Sequence, residues 1–479
     1  MSKQQSWTPA RIIYAVLMSG LLLGYMAVIA TYKDPTTTGT TFYFPGFVWV
    51  IRIITAVLAV WLGKLWKDKG FWLLMVYLLL KTVRVAVPNL QNLFIESVSD
   101  DLLTGLWVFC ACYGLARVFS KEQLKKFLGI NAALWTAGMV ANSCLGIYAA
   151  WKDQWIYTIG EGAIWGLVDG RLWLTYYVTN SGSVLSVSVL VALSCIFILK
   201  NKTGKLLYFL SLIPMMIALS LTDSRCAQVT VATGIAVLIG LFVLYKLRDR
   251  FREKGKKEWQ AWIPAIAVTG VVFVAVVLCS MKTISLFNQV RTRGLLIPHA
   301  LADTGDGGTL VSNRGYTGKD ILTSRPMIWN AAIQIIKGNP RYLLYGTSIL
   351  NPMNEINASQ WMTFKAAHCH CMPLMILLES GIPGVLLIGA FVVTIVVKMF
   401  RMIRDKSYTW DKTAIAIVIS IAAGELIECF TWLRSGQTCV LPFFFVALGI
   451  ISAAESGRKT AEQQTEMTES CNEVTANAD

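Results

Sequence analysis

The sequence predicts an all-α polytopic membrane protein with about twelve transmembrane helices, and three observations support this prediction. Apolar residues make up 55% of the 479-residue chain and charged residues only 15%, and the mean hydropathy is +0.56. A soluble domain carries about 25% charged residues. Apolar runs of the length that crosses a bilayer recur along the chain. The net charge of +15 lies largely in short clusters between these runs. The composition therefore argues against a soluble enzyme, a disordered protein and a nucleic-acid binder.

A helix needs about 20 mostly apolar residues to cross the bilayer. The first candidate follows Arg11 and has the charge pattern of a signal peptide. Its length favours an uncleaved anchor, and so does the odd number of later segments, because together they make an even number of spans. The predicted spans are 11–31, 46–63, 71–88, 101–119, 127–150, 183–199, 205–222, 226–245, 261–280, 372–397, 412–432 and 437–455.

The distribution of Lys and Arg predicts the orientation, because cytoplasmic loops are enriched in both. With both termini in the cytoplasm, all the strongly basic short connections face inward: 64–69, 121–126, 200–205, 246–257 and 398–406. We expect the cytoplasmic (inner) membrane as the location. The predicted parts are transmembrane helices one to nine in 1–280, an extracytoplasmic loop domain in 281–370, helices ten to twelve in 371–455 and a disordered cytoplasmic tail in 456–479.

The connection 281–370 is much longer than the others, and loops of this length are usually functional. It has its own helix pattern at Pro326–Lys337, which Gly338-Asn339-Pro340 ends, and a glycine-rich turn at Gly305–Gly308. The connection contains nine Lys and Arg residues but only four acidic residues. A basic surface on the outside suits an anionic ligand. The alternative is that a long loop escapes the charge bias of short ones.

The chain has three histidines, His299, His368 and His370, and the last two lie in the segment His368–Cys371. All four side chains of this segment are metal-ligand types, but four consecutive residues lack the spacing of known zinc sites. A structural role is a second alternative. The third is a general base: Pro373 predicts a helix start just after His370. The positive end of that helix favours the neutral imidazole that a base requires.

Two arginines lie at similar predicted helix starts. Asp223 and Ser224 are good N-cap residues that place Arg225 in a first turn, and Thr323-Ser324 precedes Arg325-Pro326 in the same way. Helix N-termini bind phosphate through free N–H groups, and an adjacent Arg adds a bidentate partner. Together with His370, these starts predict a diphosphate site with a base. Taken singly, each Arg is equally explained as an interfacial anchor.

Other charges lie within predicted spans, where they are costly and often functional. Lys81 and Arg84 lie three residues apart on one helix face, so they either bind substrate or reach the nearby interface. Glu425 and Glu428 either position an acceptor or pair with Arg434, and the pairing is favoured.

Four sequence motifs resemble the O-antigen ligase and Wzy-type polysaccharide polymerase family. Ser224–Ala227 resembles its Ser-Arg-Gly-Ala motif, and Ser324–Trp329 resembles the start of its loop helix. His370 with Leu374, Glu379 and Gly381 is similar to its histidine motif, with Cys371 where Asn is usual. Arg171–Asn180 is similar to an upstream external motif, without its Gly and Pro.

The resemblance implies a GT-C-like membrane glycosyltransferase that uses no metal or cofactor. The donor would be a glycan on a polyprenyl diphosphate, and the acceptor a hydroxyl of another glycan or glycolipid. His370 would be the base, and Arg225 and Arg325 would hold the diphosphate while the anomeric centre inverts. Arg171, Lys81 and Arg84 are further substrate-binding candidates. Membrane lipids and other polysaccharide-assembly proteins are the remaining expected partners, and nucleic acid is not expected.

Two other function classes fit part of the pattern. A transporter or flippase of lipid-linked glycans also has about twelve spans, but such folds commonly show an internal repeat, and we find none. A metal-dependent glycosyltransferase would need carboxylates in the first external segment, 32–45, which contains only Asp34. The sequence does not separate a ligase from a polymerase. We favour a polymerase because no feature indicates a lipid-core acceptor.

Overall fold

The computed structural model describes residues 7–31, 46–154, 156–157, 164–168, 170–174, 178–292, 325–347, 352–363, 365–366, 368–405, 408–426, 428–429 and 440–454. The first part of the chain is mostly helical. Its helices are α1 (Pro9–Thr31), α2 (Gly46–Gly63), α3 (Lys69–Ala86), α4 (Glu96–Trp107), α5 (Tyr113–Val118), α6 (Lys121–Lys152), α7 (Val178–Ile198), α8 (Lys202–Leu221), α9 (Arg225–Glu253) and α10 (Trp262–Thr292). A π-helical turn, Val108–Cys112, joins α4 to α5.

Among the described residues between α10 and α14 there are three shorter helices, which we call the loop helices: α11 (Arg325–Gly338), α12 (Tyr342–Tyr345) and α13 (Met353–Ala358). The predicted helix at Pro326–Lys337 is thus present. The last helices are α14 (Met372–Arg404), α15 (Thr413–Glu425) and α16 (Val440–Ala454). The predicted turn at Gly305–Gly308 and the histidine His299 lie outside the described residues.

Each predicted span coincides with a helical segment. Among the described residues, seven helical segments are long and apolar enough to cross a membrane, and three shorter helices are also apolar. Large apolar side chains of α10 such as Ile266 and Val271 are exposed, as expected for a helix that faces lipid. The chain is therefore an integral membrane protein. The number of crossings and their direction remain predictions.

Some predicted boundaries and the all-α class need correction. Helix α10 continues to Thr292, well past the predicted end at 280, and α15 ends at Glu425 instead of 432. The segment between α6 and α7 forms an antiparallel sheet in the order β1 (Ile156–Tyr157), β2 (Ile164–Val168), β3 (Arg171–Leu174). Val168 pairs with Arg171, and Gly170 just before β3 has a φ of 70°, a conformation that glycine adopts readily.

The sheet packs on α6 because that helix has a glycine at the contact. A Cβ at Gly146 would collide with the Leu174 side chain, and Leu172 lies beside it. Both leucines are buried, at 0% and 1% exposure. Short strands of this kind carry a weak sequence signal, since four or five residues of alternating burial resemble any apolar connection. The close contact brings β3 up to the helices that carry the site.

A buried carboxylate ties α14 to the other helices at the end marked by the basic connections. Asp68 caps the start of α3, and its Oδ2 lies 2.9 Å from Arg117 Nη2 and accepts from the Tyr113 hydroxyl at 2.8 Å. Lys398 of α14 is 3.6 Å from Oδ1, and Ser452 of α16 donates at 2.7 Å. A buried charge that is paired and hydrogen-bonded in this way holds its partners in one arrangement. It anchors the far end of the helix that begins at the candidate site.

The other end of α14 is bent, and the loop helices dock into the bend. Gly381 has a φ of 63°, and Pro383 follows it within the helix. The carbonyl of Leu378 accepts the Thr347 backbone N–H at 2.7 Å. A Cβ on Gly381 would lie 2.6 Å from the Leu344 carbonyl oxygen, and Gly346 faces the same contact from the other side. Two glycines therefore let the loop helices approach the backbone of α14 directly.

We predict that Gly381→Ala destabilises the protein by about 1–3 kcal/mol, because the alanine would be strained at positive φ and would collide with the Leu344 carbonyl. Gly389→Ala is the matched control, since Gly389 lies in the same helix with open space around its Cβ position. It should be neutral or slightly stabilising. The measurement is the midpoint of thermal unfolding in detergent. Equal midpoints for the two variants would contradict the docking contact.

Candidate functional site

The start of α14 has the predicted form. Cys371 is the N-cap residue, and Pro373 lies in the first turn. His370 precedes the helix with a φ of 53°, a conformation that costs a non-glycine residue about 1 kcal/mol or more and often occurs at functional sites. The His370 backbone N–H donates to His368 Nδ1 at 3.3 Å. Trp329 Nε1 of α11 donates to the Cys369 carbonyl at 2.8 Å, so a loop helix holds this turn in place.

A buried carboxylate, Glu428, lies at the centre of the site. It follows the end of α15, and its side chain is 3% exposed. Its Oε1 is 2.7 Å from His370 Nδ1 and 3.4 Å from His368 Nδ1, and its Oε2 is 3.3 Å from Arg325 Nη2. One carboxylate therefore joins residues from the start of α11 and the start of α14.

The short contact between Glu428 and His370 determines which imidazole nitrogen can act as a base. An ionised carboxylate only accepts hydrogen bonds, so His370 Nδ1 carries the proton and donates it to Oε1. In the neutral ring, Nε2 then keeps a free lone pair. The ring is 27% exposed. The arrangement can therefore present Nε2 of His370 to a substrate hydroxyl.

The electrostatics of the site keep Glu428 ionised and His368 neutral. Burial raises the pKa of Glu428, but the hydrogen bond from His370 and the positive charges that His368, His370 and Arg325 can carry outweigh it and lower this pKa to about 2. Burial lowers the pKa of His368 to about 4, against the opposing effect of Glu428. At neutral pH the two histidines thus differ in role: His368 is an uncharged acceptor for a backbone N–H, and His370 is held by the carboxylate.

Arg325 is the first residue of α11, where the sequence predicts a helix start. Its Nη2 pairs with Glu428, and its side chain is 15% exposed. Its Nε is buried and makes no hydrogen bond to the described part of the chain. A guanidinium presents five N–H donors in a fork, so one edge can hold the carboxylate while another remains for a ligand.

Arg225 is the first residue of α9, also as predicted. Ser224 is the N-cap residue, but its side chain makes no capping hydrogen bond, and Asp223 before it has a φ of 45°. The thiol of Cys226 donates to the Gly424 carbonyl of α15 at 3.3 Å. Cys226 is also within electrostatic range of Glu428 and Arg325. The starts of α9, α11 and α14 therefore converge around the end of α15.

Arg171 supports this arrangement from the sheet. Its Nε donates to the Thr222 carbonyl at 3.0 Å, and its Nη2 donates to the Asp223 carbonyl at 3.3 Å. These carbonyls belong to the turn between α8 and α9. The contacts identify Arg171 as a residue that positions the turn before Arg225. A direct substrate contact, which the sequence predicts, stays a prediction.

Lys81 and Arg84 lie on α3 against α14. Lys81 is buried, and its Nζ lies 2.8 Å from Glu379 Oε1. The Tyr77 hydroxyl is 3.5 Å from the other carboxylate oxygen, and Arg84 is within electrostatic range of both Glu379 and Tyr77. Glu379 lies about two turns, roughly 10 Å, along α14 from its start. The cluster joins α3 to α14 about two turns from the histidine turn. A role of Lys81 and Arg84 in substrate binding stays a prediction.

The site also contains a group of potential metal ligands. One ligand atom from each of His368, His370 and Glu428 lies within 4.8 Å of the others. The third ligand comes from a distant part of the sequence, which spacing within His368–Cys371 does not reveal. However, Arg325 already supplies positive charge 3.3 Å from the carboxylate, and His370 Nδ1 already donates to it. These contacts suit the orientation of a base better than a divalent cation.

An apolar cavity of about 380 Å³ lies next to the site. It reaches from Met372 and Pro373 at the start of α14 to Glu425 at the end of α15. Its remaining walls come mainly from apolar side chains of α3, α14, α15 and α16, among them Leu74, Phe391, Phe444 and Leu448. The cavity suits an apolar chain whose polar end lies at the helix starts.

Glu428 is the site residue whose contacts the sequence did not reveal. Its expected partner, Arg434, lies outside the described residues, and the observed partners are Arg325 and the histidines. An ionisable residue near the end of an apolar run is a functional candidate in a membrane protein, and that was the available signal. Its partners are separated from it by 58 and 103 positions along the chain, so no local pattern indicates them.

The depressed pKa of His368 predicts a pH dependence of stability. An unfolded histidine titrates near 6.5 and the folded one at about 4, so the unfolded state binds the proton more readily between these values. The folded state is therefore destabilised as pH falls, by about 1–2 kcal/mol near pH 5. We predict that lowering the pH from about 7 to 5 reduces the thermal midpoint more in the wild type than in His368→Gln. Equal reductions would contradict the lowered pKa of His368.

One comparison with known proteins gives a match. The family model described as O-antigen ligase matches residues 210–389. This range includes Arg225, Arg325 and His370 and extends through the bend at Gly381. No curated protein matches the chain. The match confirms the family resemblance drawn from the sequence motifs: residues 210–389 match the O-antigen ligase family model.

Proposed function

We propose that the protein is an inverting, metal-independent glycosyltransferase that joins a glycan from a polyprenyl-diphosphate donor to a sugar hydroxyl at the outer face of the cytoplasmic membrane. The family supports a membrane glycosyltransferase of the ligase or polymerase type. The observation that carries the proposal is the contact of 2.7 Å between His370 Nδ1 and Glu428 Oε1, next to two arginines at helix starts.

In the proposed reaction, His370 is the general base. Its Nε2 takes the proton of the acceptor hydroxyl as the acceptor oxygen attacks the anomeric carbon. The bond between that carbon and the diphosphate oxygen breaks, and its electron pair remains on the diphosphate. Glu428 orients the ring and stabilises the imidazolium that forms, because its carboxylate lies against Nδ1. Direct displacement inverts the anomeric centre.

Arg225 and Arg325 would bind the diphosphate as negative charge develops on the leaving oxygen. Each arginine lies at a helix N-terminus, where free N–H groups and the helix dipole favour anions. The buried Nε of Arg325 offers a donor that Glu428 does not use. Fixed cationic side chains of this kind can replace the divalent ion that diphosphate departure often needs.

The apolar cavity beside the helix starts supports a lipid-linked donor. Its lining from Leu74 to Leu448 suits the first isoprene units, and its end at Met372 and Pro373 lies next to the histidine turn. A lipid chain in the cavity would place the attached diphosphate near Arg325. The glycan would then extend away from the membrane. We propose polymerisation of repeat units as the reaction, with ligation to a glycolipid as the alternative.

The deciding experiment incubates the purified protein with a defined lipid-diphosphate repeat unit, with and without a separate glycolipid acceptor. Growth of the glycan on the lipid would identify a polymerase, and transfer only to the glycolipid would identify a ligase. Transfer should persist in excess EDTA. An intact donor under all conditions, with movement of the donor across vesicle membranes, would overturn the proposal in favour of a flippase.

We predict that His370→Ala lowers turnover about 10²–10⁴-fold, the usual effect of removing a positioned general base. Glu428→Gln should lower kcat by up to about 10⁴-fold with little change in donor affinity, because the amide can hold the imidazole in the wrong tautomer. His368→Ala is the matched control and should lose much less. The measurement is turnover of the defined donor by each purified variant. Near-normal turnover of His370→Ala, or a larger loss in His368→Ala, would contradict this assignment of the base.

We predict that Arg225→Ala and Arg325→Ala weaken donor binding and turnover together, since both side chains would contact the charged group. Lysine at either position should restore only part of the activity, because it lacks the bidentate fork. Arg341→Ala, in the same connection but at an exposed position, is the control and should retain activity. Donor affinity is measured separately from turnover. Unchanged donor affinity in both alanine variants would remove the arginines from the diphosphate site.

A further inference from the structure

The shortest loop helix, α12, exposes one large apolar and one aromatic side chain. Leu344 is 55% exposed and Tyr345 is 60% exposed, although α12 is docked on α14. The docking contact is made by the backbone of α12, since a Cβ on Gly381 would lie 2.6 Å from the Leu344 carbonyl oxygen. The Gly346 backbone lies against Leu378 in the same way. The contact therefore leaves both exposed side chains free to meet either water or lipid.

The position of the docking contact along α14 indicates its depth in the membrane. The basic connection 398–406 and the network of Asp68 mark the predicted cytoplasmic end of this helix. About 17 residues of regular helix separate Lys398 from Gly381, and at about 1.5 Å per residue they span about 26 Å. The hydrocarbon core of a bilayer is about 30 Å thick. Leu344 therefore lies at the outer edge of the hydrocarbon core, although its segment belongs to the predicted extracytoplasmic loop.

The lipid-facing side of α14 leads directly to α12. Ile382, Leu386 and Val393 are large, apolar and exposed along this helix, as expected for a surface in contact with acyl chains. Ile382 directly follows Gly381, the residue whose backbone contacts Leu344. The exposed surface of α12 is thus continuous with a surface that faces lipid.

The far end of α3 gives a second estimate of the same level. Val87, the C-cap residue of this helix, follows Asp68 by about 19 residues, or about 28 Å. Beyond it, Leu90 and Phe94 belong to a short 3₁₀ turn and are also exposed. Exposed apolar side chains therefore occur at the outer edge of the hydrocarbon core on two separate parts of the chain.

We propose that Leu344 and Tyr345 insert into the outer leaflet, where the acyl chains of phospholipids are the binding partner of α12. A ring with a hydroxyl, such as that of Tyr345, suits the boundary between hydrocarbon and head groups. Helix α11 holds the histidine turn through Trp329, and α12 holds the bend of α14. The lipid contact thus fixes the height of the site relative to the membrane. The name of the leaflet rests on the predicted orientation, but the contact itself does not require glycan transfer.

The first test measures the depth of α12 without any activity measurement. A fluorescent unnatural amino acid replaces Leu344 in the full chain, which is purified and reconstituted in phosphatidylcholine vesicles. The same replacement of Leu386 is the control for lipid, and that of Asn330, an exposed polar residue next to Trp329, is the control for water. Fluorescence is quenched either by brominated lipids or by iodide on both sides of the membrane. We expect brominated lipids to quench position 344 to within about twofold of position 386, and iodide to quench mainly position 330.

The position of the bromine atoms along the acyl chain refines this test. Bromines near the ester end should quench position 344 more than bromines near the methyl end, because the contact lies at the edge of the hydrocarbon core. Strong quenching of position 344 by iodide, without quenching by either brominated lipid, would overturn the proposal. If the replacement of Leu344 lowers the thermal midpoint, the same measurement at Tyr345 decides.

The second test identifies the partner in cells. A photo-crosslinking amino acid in place of Tyr345 should yield an adduct with the mass of a phospholipid, as it should in place of Leu386. An adduct with a second copy of the chain or with another protein, and none with lipid, would overturn the assignment of the partner. Insertion of α12 in a protein that transfers no glycan would remove the proposed function and leave this inference. Glycan transfer by a protein whose position 344 lies in water would do the reverse.

Discussion

The site depends on one buried negative charge. A carboxylate removed from water must be paired and hydrogen-bonded, or it destabilises the fold by several kcal/mol. Glu428 meets this requirement with Arg325 at 3.3 Å and His370 at 2.7 Å. Because Arg325 begins α11 and His370 lies just before α14, the need to pair one charge also sets the relative position of α11 and α14. The same contact that satisfies the buried carboxylate thus orients the imidazole.

Helix α14 carries this arrangement because both of its ends are held. At one end, Lys398 joins the buried network of Asp68 with Arg117. Near the other end, the bend at Gly381 exposes the Leu378 carbonyl to the loop helices, which dock there through Thr347. The docked segment then supplies the residues that contact the histidine turn. A straight, continuous helix would not leave this acceptor free, so the bend links the loop helices to the site.

The proposed chemistry requires two different properties of the site, a neutral base and a positively charged surface that binds diphosphate. Different side chains of the site provide these two properties. Glu428 compensates part of the positive charge of Arg325 and holds His370, while burial keeps His368 uncharged. Arg225 at the start of α9 and the edge of Arg325 that does not contact Glu428 would then bind the diphosphate. Arg171 stabilises the turn before Arg225 through two backbone carbonyls and thereby extends the arrangement to the sheet.

The sequence by itself determined the helices and the starts of those that carry the site. The length of apolar runs predicts α1 to α10 and α14 to α16, and Pro373, Pro326 and Ser224 predict where α14, α11 and α9 begin. These are local properties, since helix geometry and the first turn involve residues a few positions apart. The tertiary structure decided the partners of Glu428, the extension of α10 and the sheet against Gly146. Each of these depends on packing between segments far apart in the chain, and local patterns contain no information about which buried charge or surface will meet which.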